Sequence, residues 1–163
     1  MRIHQFLSDQ AATRPQAIAL LDWDAAPWTF AQELAAAQAA AAHMTAAGVQ
    51  PGDRVLMVTE NCATLCAFIY ACSMIGAWAV PVNARQTAHE LARIIDHATP
   101  KLGLFFHSVS PDAQSHGTRP TPPRSQAHGA RSSPQTSAPP IPPAIRTSPS
   151  CSTQPAPQAP PRA

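Results

Sequence analysis

The sequence predicts an α/β protein, a partial doubly wound βαβ sheet followed by a proline-rich tail with no core of its own. Three observations predict it. Short apolar runs at 17–23, 54–59, 77–82 and 101–106 alternate with helical stretches of ten or more residues, as parallel βαβ units require. Two of the helices open on a capping-box spacing, Thr29 with Gln32 and Thr87 with Glu90. And the core-forming residues stop abruptly. Every Trp, Tyr and Phe lies at or before Phe106, the last Leu is Leu104, and beyond Val109 the only branched aliphatics are Ile141 and Ile145. Fourteen of the 19 prolines fall at Pro111 or later, so this text cannot bury enough apolar surface to offset its ordering entropy. The expected division is a folded unit over 1–106, extending to 117 if the next helix is real, and a disordered tail over 118–163.

The elements follow in order. Residues 17–23 read as a first strand, Asp24 to Pro27 as a turn, and Trp28-Thr29-Phe30 as the approach to an Ala-rich helix over 31–47. Gly48 is placed to end that helix in the left-handed conformation, and Pro51-Gly52 forms the next turn. Arg54 to Thr59 form a strand. Asn61 is the expected cap of a helix through Cys62, Leu65, Phe68, Ile69 and Cys72 to Ile75, closed by Gly76. Ala77 to Val82 form a further buried strand. The helix opened by Thr87 and Glu90 runs to Ala98, Pro100 stops it, and Lys101 to Phe106 form the last strand. Ser110 with Pro111 at the first helical position would begin one more helix.

Charge and cysteine content exclude several function classes. The chain carries +2 overall, but residues through Phe106 hold six Lys plus Arg against eight Asp plus Glu. The basic excess sits in the tail, on Arg119, Arg124, Arg131, Arg146 and Arg162, with no aromatic residue between them. Nucleic-acid binding through a stacking platform needs both, and is not expected. Cys62 and Cys66 share a helix face at i, i+4 with Cys72 beyond, but no Cys-x-x-Cys pair or neighbouring His completes a metal or redox site. They read as reduced thiols of a cytoplasmic protein. The stretch 62–82 has no charge and is long enough to cross a bilayer, so a small membrane protein is an alternative. Gly76 and Pro81 interrupt it, and a buried helix followed by a buried strand explains it better.

Local motifs assign no catalytic, cofactor-binding or metal-binding residue. There is no glycine-rich phosphate loop and no Gly-x-Ser-x-Gly elbow. His89 and His97 lie eight apart on one helix with Arg93 between them, and read as solvated or interfacial histidines, not ligands. Asp53 and Arg54 read as a turn-side polar pair, and Pro81 marks a strand end or an edge.

The order of landmarks is more informative. Trp28-Thr29-Phe30 opens a helix ending in Gly48-Val49-Gln50-Pro51-Gly52-Asp53-Arg54-Val55; Glu60-Asn61 precedes an apolar helix closed by Ile75-Gly76-Ala77. Then come Val80-Pro81-Val82-Asn83-Ala84-Arg85, Glu90-Leu91 and Asp96-His97-Ala98. Over residues 3–106, and as far as His116, this series resembles the N-terminal region of the adenylate-forming superfamily of acyl-CoA synthetases and AMP-dependent ligases. Asn83-Ala84-Arg85 is most similar to the wording of bacterial acyl- or aryl-CoA ligases.

The resemblance implies ATP- and Mg²⁺-dependent activation of a carboxylic acid to an acyl-adenylate, then attack by CoA with release of AMP. It also implies that the phosphate loop with its lysine, the ribose-binding acid and the mobile C-terminal domain follow the region present here. Lys101 is the only lysine in the chain, and proline-rich text stands where the phosphate loop belongs. The expectation is therefore a truncated N-terminal fragment, itself inactive and needing no cofactor, with ATP, Mg²⁺ and CoA serving only the intact enzyme.

The tail admits three readings. Out-of-frame translation of a GC-rich gene accounts for its Pro, Ala, Arg, Ser and Thr and for a break in mid-architecture. A non-enzymatic interaction tail is the alternative, since Pro120-Thr121-Pro122-Pro123-Arg124 holds a Pro-x-x-Pro and Pro139-Pro140-Ile141-Pro142-Pro143 favours polyproline II. An inert linker that has lost its second domain is the third.

Overall fold

A computed structural model describes residues 2–22 and 26–117, and the backbone of 135–137. Within these, the elements are α1 (Ile3–Thr13), β1 (Ile18–Leu20), β2 (Trp28–Thr29), α2 (Phe30–Ala46), β3 (Arg54–Thr59), α3 (Ala63–Ile75), β4 (Trp78–Asn83), α4 (Ala88–Ala98), β5 (Leu102–Phe105), α5 (Pro111–Gly117) and β6 (Gln135–Ser137). The tail's Pro-x-x-Pro and polyproline runs lie outside the described residues.

Four strands form a parallel sheet in the order β4-β3-β5-β6. The chain passes from β3 outward to β4, then crosses back over β3 to β5, so the crossovers reverse direction at β3. Pleating divides the strands between two faces. Val55, Met57, Leu102, Leu104 and Phe106 face α2 and α3, meeting Ala40, Met44, Phe68, Ala71 and Cys72 in the larger core. Phe68 and Phe106 meet edge to face with centroids 5.3 Å apart. Leu56, Val58, Val82 and Phe105 face the other way, against Leu91 of α4 and Ala113 of α5. A sheet covered on both faces is what the alternating pattern implied.

Both expected capping boxes form. The Thr29 hydroxyl accepts the Gln32 N–H and the Gln32 side chain accepts the Thr29 N–H; Thr87 and Glu90 repeat the exchange. Gly48 and Gly76 close α2 and α3 at φ +83° and +76°. Ser110 caps α5 through Ala113, with Pro111 as its first residue.

Four expectations need correction. The first strand does not join the parallel sheet. Ile18–Leu20 pairs antiparallel with Trp28–Thr29 in a separate two-stranded ribbon, because only a short turn links them. Residues 3–13, read as no element, form α1. Its polar groups are tied to the far end of α3: His4 Nδ1 lies 2.9 Å from Ser73 Oγ, and Arg2 donates to the Ser73 carbonyl at 3.3 Å.

The strand at 77–82 was expected to be buried, but β4 is an edge of the described sheet, with Trp78 67% exposed. Trp78 and Ala84 donate inward to Asp53 and Thr59 of the β3 side, so in the alternation between them the Pro81 nitrogen points away from β3. The proline therefore costs the ladder nothing. Finally, β6 lies beside β5 with Gly103 opposite Gln135, within text that carried no strand expectation. The uncharged run 62–82 resolves into α3 and β4, and among the described residues no helix is long and apolar enough to cross a membrane.

Candidate functional site

In open parallel sheets ligands gather outside the carboxyl ends of the strands, where crossovers reverse. Here that position is occupied by an open cleft of about 430 Å³ lined by Thr59, Glu60, Asn61, Leu65, Pro81, Val82, Asn83 and Arg85. Each side chain is placed by the end of an element. Glu60 and Asn61 follow β3, Asn83 ends β4, and Arg85 lies in the turn before α4. Arg85 Nε donates to Glu60 Oε1 at 3.0 Å, bracing the two strand tips against each other. The Asn83 side chain accepts the Arg85 N–H at 2.9 Å, and His116 of α5 donates to the Ala84 carbonyl at 3.1 Å. The turn 83–85 is thus held from three sides. Arg85 remains 71% exposed despite this ion pair.

Asn61, expected as a helix cap, is instead an exposed member of this rim. Cys62 occupies the cap position of α3 without a side-chain bond to the helix, and the Ala63 N–H is taken by Asp22 at 2.9 Å. Asp53 and Arg54 do hold turns: Asp53 accepts the Gln50 N–H, and Arg54 reaches the Ala98 carbonyl and Thr99 hydroxyl at the end of α4. His89, Arg93 and His97 are exposed on α4, with Arg93 and His97 beside a second, apolar hollow against Val80 and Ile94. Lys101 precedes β5, at the opposite end of the strands from the cleft.

The three described thiols are unsuited to nucleophilic or ligand chemistry. Cys72 is buried and its thiol is pushed up to about 12; Cys62 and Cys66 are half-buried and also raised, first by desolvation. Among the described residues no group of three His, Cys, Asp or Glu side chains is placed to hold a metal ion.

Sequence reasoning passed over two features. Glu60 and Arg85 carried the family resemblance but no role, and their pairing spans 25 residues. Glu33 drew no reading from the sequence, yet it is 1% exposed and neither carboxylate oxygen has a hydrogen-bond partner among the described residues. Desolvation pushes its carboxyl up from 4.5 to about 7. That corresponds to about 3 kcal/mol against the ionised form. The favourable helix dipole in a first turn is worth about 0.3–1 kcal/mol, so burial wins.

A family model described as AMP-binding enzyme matches residues 7–161. The chain is 32% identical over 95 residues to a long-chain-fatty-acid–CoA ligase, FadD13, of Mycobacterium tuberculosis, covering 58% of this chain and 19% of that protein. It is 31% identical over 86 residues to a 2-succinylbenzoate–CoA ligase of Oceanobacillus iheyensis, covering 53% of this chain and 18% of the relative. Among solved structures, a Mycobacterium tuberculosis fatty acyl CoA synthetase superposes with a TM-score of 0.69 at 26% identity, covering 84% of this chain and 26% of that one. The chain therefore spans about a fifth of the length of the curated relatives it matches.

Proposed function

The chain belongs to the AMP-binding enzyme family, and from that premise we propose that it is the N-terminal portion of an ATP-dependent carboxylic acid–CoA ligase that does not itself catalyse adenylation. Intact enzymes of this kind join a carboxylate to ATP with loss of pyrophosphate, then transfer the acyl group to CoA with loss of AMP. ATP, Mg²⁺ and CoA are their cofactor and co-substrates.

The observation that carries the reading is the composition of the rim. Its one cation is Arg85, its one carboxylate is Glu60, and the two neutralise each other at 3.0 Å. Mg²⁺ bound to a triphosphate asks for free carboxylate oxygens, a lysine and a run of backbone N–H donors. These residues do not fit that group. The lone lysine, Lys101, stands a strand's length away, about 13 Å for four residues. The turn 83–85 and the tip of β3 instead read as one wall of a site whose other walls belong to a longer chain.

Pyrophosphate exchange tests the reading. The purified chain is incubated with ATP, Mg²⁺, labelled pyrophosphate and a panel of fatty and aromatic acids. No label should enter ATP above the no-enzyme background. Acid-dependent exchange would show that the chain adenylates and would overturn the proposal.

A further inference from the structure

Glu33 is a group that neither the cleft nor the family reading uses. It sits in the first turn of α2, on the buried face that also carries Ala36, Ala37 and Ala40, and close enough to α3 for its charge to act on Cys66 and Tyr70. Both oxygens are buried without a hydrogen-bond partner among the described residues. The ionisable groups around it come from every element packed on this end of α2. Cys66 and Tyr70 of α3 are raised first by burial and then by the Glu33 charge. Asp22, after β1, acts on Cys62 and Cys66. Arg14, following α1, stacks 5.1 Å from the Phe30 ring instead of turning to Glu33. On α2 itself, His43 lies near the other end. None of them donates to the carboxylate.

A carboxylate in such a seam has two outcomes. It stays neutral and the helices remain closed, or it loses its proton and must reach water. At this end of the seam the helix positions in the small cluster are Ala36, Ala63 and Ala67, whose burial contributes little per residue, with Trp28 its one large member.

We propose that Glu33 is a proton-operated latch on the α2–α3 seam: neutral, it lets the first turns of α2 close on α3, and on ionising it swings to solvent and opens them. The sign is fixed by linkage. The open form releases the proton near the ordinary 4.5 and the closed form near 7, so the open fraction rises with pH between those values and levels off above the second. Full expression of that difference is on the order of a three-hundredfold change in the opening equilibrium.

Hydrogen exchange on the full chain, followed by mass spectrometry and corrected for intrinsic rates, reads this directly. Amides of the first turns of α2 and of α3 should lose on the order of a hundredfold or more in protection from pH 4.5 to 7, then plateau. Glu33→Gln and the apolar Glu33→Met should both give flat profiles. A flat profile in the unaltered chain, or a fall that persists in both variants, would overturn the latch. So would an equal loss at β3 and β5 amides, which would mean global unfolding.

Discussion

Asp22 caps a helix it does not belong to: its Oδ2 accepts the Ala63 N–H at 2.9 Å, across 41 residues of sequence. Asp22→Ala should lower stability by about 1 kcal/mol, the usual worth of a cap. Asn61→Ala, at the position that looks like the cap, should stay within about 0.5 kcal/mol. Urea denaturation of the two variants decides between them, and reversed magnitudes would return the cap to Asn61.

Gly76 and Gly48 both adopt positive φ, but their surroundings differ. A Cβ on Gly48 would meet nothing within 4 Å, whereas one on Gly76 would lie 3.4 Å from Pro51 Cβ and 3.5 Å from an Arg2 nitrogen. Gly48→Ala should cost about 1 kcal/mol from backbone strain alone. Gly76→Ala should cost a similar amount, because 3.4 and 3.5 Å are ordinary van der Waals contacts and the positive φ is the strain the two sites share. Thermal unfolding of the pair checks the match.

Phe106 anchors the larger core from the end of β5. Phe106→Ala should cost about 3–5 kcal/mol, a large share of the 5–15 kcal/mol a domain usually has. A double-mutant cycle with Phe68→Leu and Phe106→Leu should return a coupling of about 0.5–1.5 kcal/mol for the edge-to-face pair. A coupling of zero would reduce their contact to simple burial.

Glu90 is fully exposed, yet its carboxyl is held below the usual range, first by the Thr87 N–H and then by the Thr87 hydroxyl. A lowered carboxylate stabilises the folded form above its unfolded value and loses that effect as pH falls through the folded one. The first turn of α4 should therefore fray in acid, below pH 4.5. An NMR titration should place Glu90 below 4.5, and Thr87→Val, which removes the hydroxyl, should return it part of the way.

Much of this architecture was legible because its determinants are local. The Thr29–Gln32 and Thr87–Glu90 boxes, the glycines at 48 and 76 and the Ser110-Pro111 start each lie within a few residues of what they control. What stayed hidden depends on partners far along the chain. In α1, Ile3 and Phe6 remain exposed and only Leu7 is buried, so its apolar stripe is faint. What holds it is Ser73, 69 residues from His4. The same distance effect hid Asp22. At the cleft, Asn83-Ala84-Arg85 stood out as wording, but only folding sets Arg85 on Glu60. Glu33 was missed for a different reason: its position in a first turn is ordinary, and burial alone makes it unusual.

The outward-facing nitrogen of Pro81 bears on how this polypeptide behaves in a crowded solution. An exposed strand is a template on which neighbouring molecules polymerise, each adding a rung to the last. At β4 the middle of that template lacks a donor, so an arriving strand would find its register broken where it most needs continuity. Edge-to-edge growth from β4 is therefore disfavoured at its centre, where the residue facing outward has no hydrogen to give.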